Sequence, residues 1–185
     1  MKFFKTIFIT YIFLTCTVKA DLDQNLITKF QEGGKLIFIR HAYAPGSGDP
    51  QNFNLNDCST QRNLNHSGRE QSKNIGKLFS RHDIEINNVY SSEWCRCKET
   101  ASIAFNKFET KKFLNSFYSA QFAKNKKKQV KEFQKFINNW NKKDNLIFVT
   151  HYVFISEILN YAPSSGEIVI ADKNLNIVDT LEIEY

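Results

Sequence analysis

Two short apolar runs constrain the fold more than any other feature of this 185-residue chain. The first, Leu36-Ile37-Phe38-Ile39, leads into Arg40-His41, and the second, Leu146-Ile147-Phe148-Val149-Thr150, ends in His151. Unbroken apolar stretches of this length, bounded by polar residues and rich in β-branched and aromatic types, belong to strands buried on both faces of a parallel sheet. Each run therefore delivers a histidine to the carboxyl edge of that sheet. Ligands bind at this edge in open α/β sheets, because the loops leaving it diverge around a crevice. Two histidines and an arginine aimed into one crevice suit chemistry on an anion.

The rest of the chain alternates strand and helix signals around those runs. A polar loop spans Ala44 to Asn65, with Pro45, Gly46, Gly48 and Pro50 as turn formers, and a loop this long just beyond a strand end is usually functional. Ser67 opens a helix to about Arg81, with Ile75, Leu78 and Phe79 as its apolar stripe. Val89-Tyr90-Ser91 reads as a strand, followed by a helix from Glu93 to about Asn106. Lys127 to Trp140 is a further helix whose face of Val130, Phe133, Phe136, Ile137 and Trp140 has core spacing. A short helix runs from Val153 to Leu159. Strands at 167–170 and 177–183, joined by the turn Asp172-Lys173-Asn174, close the chain. The expected class is α/β, a three-layer sandwich with a mostly parallel central sheet flanked by helices.

The first twenty residues read as a secretory signal peptide: Lys2 and Lys5 make a basic start, Ile7 to Leu14 an apolar core, and Val18-Lys19-Ala20 a small-residue cleavage site. The apolar core falls short of the ~20 residues a spanning helix needs, so no stable membrane anchor is expected after cleavage. Export to the periplasm or medium leaves residues 21–185 as one domain with a single core. The formal charge of +6 includes Lys2, Lys5 and Lys19, and the remaining surplus is too small to argue for a nucleic-acid partner. The cluster Lys124, Lys126, Lys127, Lys128 and Lys131 reads as the solvated start of a helix.

Export also changes how the cysteines read. In an oxidising compartment two of Cys58, Cys95 and Cys97 should pair. Residues two apart on a helix point to nearly opposite sides, so the bond joins Cys58 to either Cys95 or Cys97. No CxxC or HxxxH spacing is present, which argues against a zinc site.

Four segments resemble the histidine phosphatase superfamily, which includes the phosphoglycerate mutases. Arg40-His41-Ala42 is similar to its Arg-His-Gly signature, and Arg62-Asn63-Leu64 with Gly68 resembles its Arg-x-Leu-x-x-x-Gly segment. Ser92 to Ala101 resembles its Ser-x-x-x-Arg-x-x-x-Thr-Ala helix, and Val149-Thr150-His151 its second histidine motif. The segments fall in the family's order and span residues 35 to about 160. Asp57 to Leu64 looks like the small exported members. The resemblance implies a phosphoglycerate mutase-like fold, and it favours Cys95 as the disulfide partner, since the family pattern has a small buried alanine at position 97.

What the resemblance implies agrees with the chemistry. Hydrolysis of a phosphomonoester needs a nucleophile for phosphorus, positive charge on the non-bridging oxygens and a proton for the leaving group. His41 is the expected nucleophile, forming a phosphohistidine, and must be unprotonated to attack. Arg40 and Arg96 form the phosphate clamp and disfavour imidazolium, Arg62 is a third substrate-binding donor, and His151, protonated when phosphate is bound, supplies another. Arginines take the electrostatic role a metal plays elsewhere, so neither metal nor cofactor is expected. His66 and His82 receive no role.

The general acid has no motif. Many family members carry a glutamate after the Thr-Ala segment, but Phe113-Leu114-Asn115-Ser116 holds no carboxylate, leaving Asp49, Asp57, Glu93 and Glu109 as candidates. The expected activity is metal-independent hydrolysis of a small phosphorylated substrate, a cell-envelope sugar phosphate among them. A protein phosphohistidine phosphatase and a non-catalytic phosphate-binding domain of the same fold are the alternatives.

Overall fold

The structure is a computed structural model and describes residues 24–185; the expected signal peptide lies outside the described residues. Six strands form one sheet in the order β3-β2-β4-β1-β5-β6. They are β1 (Leu36–Arg40), β2 (Asn88–Ser91), β3 (Glu109–Thr110), β4 (Leu146–Thr150), β5 (Ile168–Ala171) and β6 (Ile177–Leu181). The first four in that spatial order run parallel, while β5 lies antiparallel to β1 and β6 antiparallel to β5. The helices are α1 (Gln24–Gln31), α2 (His66–Arg81), α3 (Cys95–Phe105), α4 (Ala120–Ala123), α5 (Lys126–Asn138) and α6 (Tyr152–Leu159).

The apolar runs explain the three layers. Side chains alternate across a strand, so Ile37, Ile39, Ile147 and Val149 face one core, where Phe30, Ile75, Phe79 and Ala101 from α1, α2 and α3 cover them. Leu36, Phe38, Leu146 and Phe148 face the other, covered by Phe133, Ile137, Phe154 and Ile155 from α5 and α6. Burying each such side chain is worth roughly 1.5–3 kcal/mol, so both apolar faces of these strands need a covering layer. The expected helix stripe of α5 is core for Phe133 and Ile137, with Phe136 and Trp140 packed against its edge.

Boundaries shift where capping decides them. The Asn65 side chain accepts a hydrogen bond from Gly68 N at 2.9 Å and starts α2 one residue early, at His66. Helix α3 begins at Cys95 instead of Glu93, because Glu93 N donates to the Asn115 side chain and is drawn out of helical geometry. Strand β5 is displaced by one residue, to 168–171, and Glu167 is a buried turn residue whose carboxylate accepts from the Tyr161 hydroxyl and Ser164 N. Helix α1 is absent from the sequence-based expectation, although its Leu26, Ile27 and Phe30 fall on one helical face, as are β3 and α4, which at two and four residues are too short to show a period. Among the described residues no helix is long and apolar enough to cross a membrane.

What positions the site is the pairing of β1 with β4. Arg40 lies in register with Thr150, and His41 N extends the ladder to Thr150 O at 2.9 Å. His41 and His151 therefore leave adjacent strands at the same level of the carboxyl edge.

Candidate active site

The His41 and His151 rings meet edge-on, with centroids 5.5 Å apart. His41 Nδ1 lies 2.9 Å from the Ala42 carbonyl oxygen, which can only accept, so Nδ1 carries the ring proton. Nε2 then holds a lone pair, and Arg96 Nε donates to it at 3.1 Å. Burial, reinforced by the Arg96 charge, holds the imidazole pKa well below its ordinary value; the Ala42 carbonyl opposes this only in part. His41 is a neutral base with a defined tautomer.

The motif residues around His41 have local reasons. Thr100 Oγ1 donates to Arg96 O within α3 and accepts from Ala42 N at 3.0 Å, tying that helix to the strand end. Gly68 is required by close approach: a Cβ there would sit 2.0 Å from the Tyr43 carbonyl oxygen. Gln71 on the same helix accepts from Tyr43 N and donates to Ser165 O and Ile183 O. The segment carrying the Ala42 carbonyl is therefore pinned from two helices.

All five expected site residues, Arg40, His41, Arg62, Arg96 and His151, line one cavity of about 260 Å³ at this edge, with Asp49 among its other walls. Arg40 donates to Pro163 O at 2.9 Å and lies over the Tyr152 ring, while its Nε is buried without a hydrogen-bond partner among the described residues. Arg62 differs from its expected part as a free donor. Its Nε donates to Gly48 O at 2.8 Å and its Nη1 to Ala44 O, so much of the guanidinium pins the long loop. Three guanidiniums face one carboxylate here, so the cavity is cationic.

Of the four candidate carboxylates, only Asp49 lines the cavity. Asp57 is exposed and caps the turn at Cys58–Thr60, and Glu109 is exposed beside Lys111. Glu93 accepts from Asn115 Nδ2 at 2.6 Å away from the cavity wall. Burial acts to raise the Asp49 carboxyl, but hydrogen bonds and charge from Arg96, with donors from Trp94 and Arg62 N, outweigh it and hold the group below the usual carboxylate range.

His151 Nε2 lies 2.9 Å from Ser92 Oγ and 3.5 Å from the Cys97 sulfur. Its pKa is lowered by burial, then by Arg96 and His41. Ser92, Asn115 and Trp94 are parts of the site that sequence reasoning left without a role. Ser92 and Trp94 lay inside a quoted motif, and Asn115 lay in the segment where the resemblance expects a carboxylate, without a role of its own. The disulfide joins Cys58 to Cys95 with Cα atoms 5.7 Å apart, tying the loop to the start of α3 directly before Arg96. Cys97 is a buried free thiol whose pKa burial pushes to about 12. Among the described residues no group of three His, Cys, Asp or Glu side chains is placed to hold a metal ion.

No curated protein sequence matches the chain. Solved structures do match its fold. A putative phosphohistidine phosphatase SixA from Agrobacterium tumefaciens aligns with 15% identity and a TM-score of 0.56, over 80% of this chain and 97% of that one. A putative alpha-ribazole-5'-P phosphatase from Escherichia coli aligns with 16% identity and a TM-score of 0.58, over 81% and 96%. Phosphoglycerate mutase from Thermus thermophilus aligns with 13% identity and a TM-score of 0.55, over 81% and 99%. The family model of the histidine phosphatase superfamily (branch 1) matches residues 36–141, which hold His41, Arg62 and Arg96 and stop short of His151. With more than half its length matched and the fold shared, the chain belongs to branch 1 of the histidine phosphatase superfamily.

Proposed function

We propose that the chain is a metal-independent phosphatase that hydrolyses small phosphomonoesters through a phosphohistidine on His41, acting outside the cytosol. The tautomer of His41 carries this reading: the Ala42 carbonyl takes the Nδ1 proton and leaves a lone pair on Nε2, to which Arg96 Nε donates at rest and which that donor releases when phosphorus arrives. In the first step Nε2 attacks phosphorus, the bond to the leaving oxygen breaks, and that oxygen takes a proton. In the second, water attacks phosphorus, loses a proton, and the phosphorus–nitrogen bond breaks to return neutral His41. Arg40, Arg96 and His151 hold the non-bridging oxygens, with Arg62 reaching in by its remaining nitrogen.

Asp49 is the group that delivers and recovers the proton, as the carboxylate in the cavity wall. It is ionised at rest, but a phosphate dianion beside it raises its pKa by like-charge repulsion, which lets it carry a proton when substrate is bound. A cavity of about 260 Å³ suits a phosphoryl group on a sugar-sized leaving group. The Cys58–Cys95 bond and the leader-like first twenty residues support export.

Rapid quenching of enzyme mixed with ³²P-labelled aryl phosphate tests the mechanism. The trapped label should survive alkali and be lost in acid, as a phosphoramidate is, and His41→Ala should abolish both label and turnover with the fold retained. A panel of sugar phosphates and a phosphohistidine peptide ranks the substrates. Phosphate binding without turnover of any of them would make this a binding domain, and activity lost to EDTA and restored by a divalent ion would make it a metal-dependent hydrolase.

A further inference from the structure

Behind His151, away from the cavity, lies a continuous chain of hydrogen bonds. Asn115 Nδ2 donates to Glu93 Oε2 at 2.6 Å, and Asn115 Oδ1 accepts from Glu93 N at 2.8 Å. Those two contacts permit only one orientation of the amide, since exchanging its oxygen and nitrogen would set donor against donor. Asn115 Oδ1 is thus an acceptor toward its third neighbour, and Ser92 Oγ donates to it at 3.1 Å. With its only proton directed to Asn115, the Ser92 oxygen turns its lone pairs to Trp94 N at 3.3 Å and to His151 Nε2 at 2.9 Å.

We infer that Glu93, Asn115 and Ser92 form a positioning relay that keeps the resting proton of His151 on Nε2 and leaves Nδ1 as the nitrogen that gains and gives a proton in the cavity. The inference rests on the phosphatase reading for its purpose but not for its geometry. Nδ1 makes no hydrogen bond among the described residues, and His151 lines the cavity wall. When a phosphoryl dianion binds, its charge lets Nδ1 take up a proton from solvent, and the Nδ1–H then donates to a phosphoryl oxygen. The new charge rests against the Ser92 lone pairs, and the Glu93 carboxylate compensates it through the polarised amide.

The relay is built to stay fixed. Ser92 and His151 are buried, Ser92 N bonds Val149 O at 2.9 Å, and Gln129 Nε2 from α5 donates to Asn115 O at 2.7 Å. A ring flip of His151 would set the carbon Cε1 against Ser92 Oγ in place of Nε2 and lose that hydrogen bond. Asn115 therefore stands, in the segment where many relatives carry a glutamate, as a residue acting through His151 and not on substrate.

Long-range ¹H–¹⁵N spectra of protein labelled in its imidazole nitrogens test this. Wild-type His151 should show a protonated Nε2 and an unprotonated Nδ1, and inorganic phosphate should move Nδ1 alone toward the protonated position. In Asn115→Leu the two His151 nitrogens should shift toward each other as both tautomers populate, while the His41 shifts stay unchanged. The same variant should lose up to about 10²-fold in kcat on an aryl phosphate, with KM altered less. Glu93→Gln, which keeps an acceptor oxygen but removes the charge, should retain the resting wild-type tautomer, while inorganic phosphate moves Nδ1 toward the protonated position less than in the wild type. A resting proton on Nδ1 in the wild type overturns the relay, and so do unchanged shifts and kcat in Asn115→Leu; the wild-type spectrum decides alone if that variant does not fold. Predicted shifts in a protein that hydrolyses no phosphomonoester would retire the phosphatase reading and keep the relay.

Discussion

Asp49 grips Arg96 with both carboxylate oxygens, Oδ1 to Nη1 at 2.7 Å and Oδ2 to Nη2 at 3.3 Å. The pair joins the long loop to α3 and aims Nε of Arg96 at His41, while Nη1 also donates to Arg62 O at 3.3 Å. A planar guanidinium suits this double task, because its donors lie in a fixed fork. Arg96 is buried, so the carboxylate also meets the need of a charge held away from water.

Removing Arg96 should therefore harm stability and rate together. Arg96→Ala leaves Asp49 half-buried and unpaired, at a cost of about 3–5 kcal/mol in unfolding free energy. It also removes a donor for the phosphoryl group, worth on the order of 10²–10³ in kcat/KM. Arg96→Lys should recover part of the stability but little of the rate, since an ammonium cannot reproduce the planar fork that holds both Asp49 oxygens and His41. Chemical denaturation alongside steady-state kinetics separates the two effects. Equal rates for Lys and Arg at this position would remove the fork from the argument.

Asp49→Asn keeps a side chain of the same shape and takes away the transferable proton. Turnover of an alkyl phosphate, whose leaving oxygen needs that proton, should fall by on the order of 10²-fold or more. An activated aryl phosphate should lose far less in kcat, and its KM should not rise, because one competing negative charge has left the cavity. The ratio of the two kcat values is the measurement. A uniform loss would assign Asp49 to holding Arg96 alone.

The disulfide closes a loop of 37 residues, for which chain entropy gives a stabilisation of about 4 kcal/mol. Cys58→Ser should lower the denaturation midpoint accordingly. The bond sits directly before Arg96, and Gln61 Oε1 also accepts from Cys95 N, so the variant should weaken phosphate affinity as well as stability. Calorimetry with inorganic phosphate reads the second effect. Wild-type affinity in a destabilised variant would limit the bond to a structural part.

The parts of this site legible in sequence are those that sit on regular elements. Two apolar runs placed both histidines at one sheet edge, because each run reads as a buried strand of a parallel sheet that ends directly before its histidine. The helix motif placed Arg96 and Thr100, since spacing on a helix fixes direction. Asn115 and Asp49 were not legible in the same way. Asn115 follows a short 3₁₀ turn at Lys112–Leu114 and Asp49 lies in an irregular loop, so their positions depend on tertiary contacts with Ser92, Glu93 and Arg96 that no local period records. Arg62 shows the converse: its motif placed it at the cavity, but only the loop carbonyls of Ala44 and Gly48 reveal that it also holds the wall together.

Gly68→Ala tests whether the tautomer of His41 depends on the helix behind it. The added methyl would meet the Tyr43 carbonyl, a backbone atom that can yield only by moving the strand end beside Ala42. Overpacking of this kind costs typically 1–3 kcal/mol. Because the Ala42 carbonyl holds the Nδ1 proton of His41, kcat should fall beyond what instability explains under conditions where the variant is fully folded. Unchanged kcat at full folding would separate the close approach from the chemistry.

Stability should fall as the solution is acidified through the ordinary histidine range, and the sign follows from burial. His41 and His151 are held neutral in the folded chain, well below the value of 6.5 that each regains on unfolding. Below pH 6.5 the unfolded chain therefore binds more protons than the folded one, and unfolding becomes easier by up to about 1.4 kcal/mol per pH unit for each imidazole. Asp49 adds a loss of the same sign further down: its folded carboxyl lies below 3.8, so its contribution is present above that value and disappears as pH falls through the folded one. Urea midpoints measured from pH 7.5 to 5 should thus decline, and His41→Asn, which cannot titrate, should flatten the slope by one imidazole's share. A stability that stays level across that window would mean the two rings accept protons in the folded state, and a protonated His41 cannot be the nucleophile.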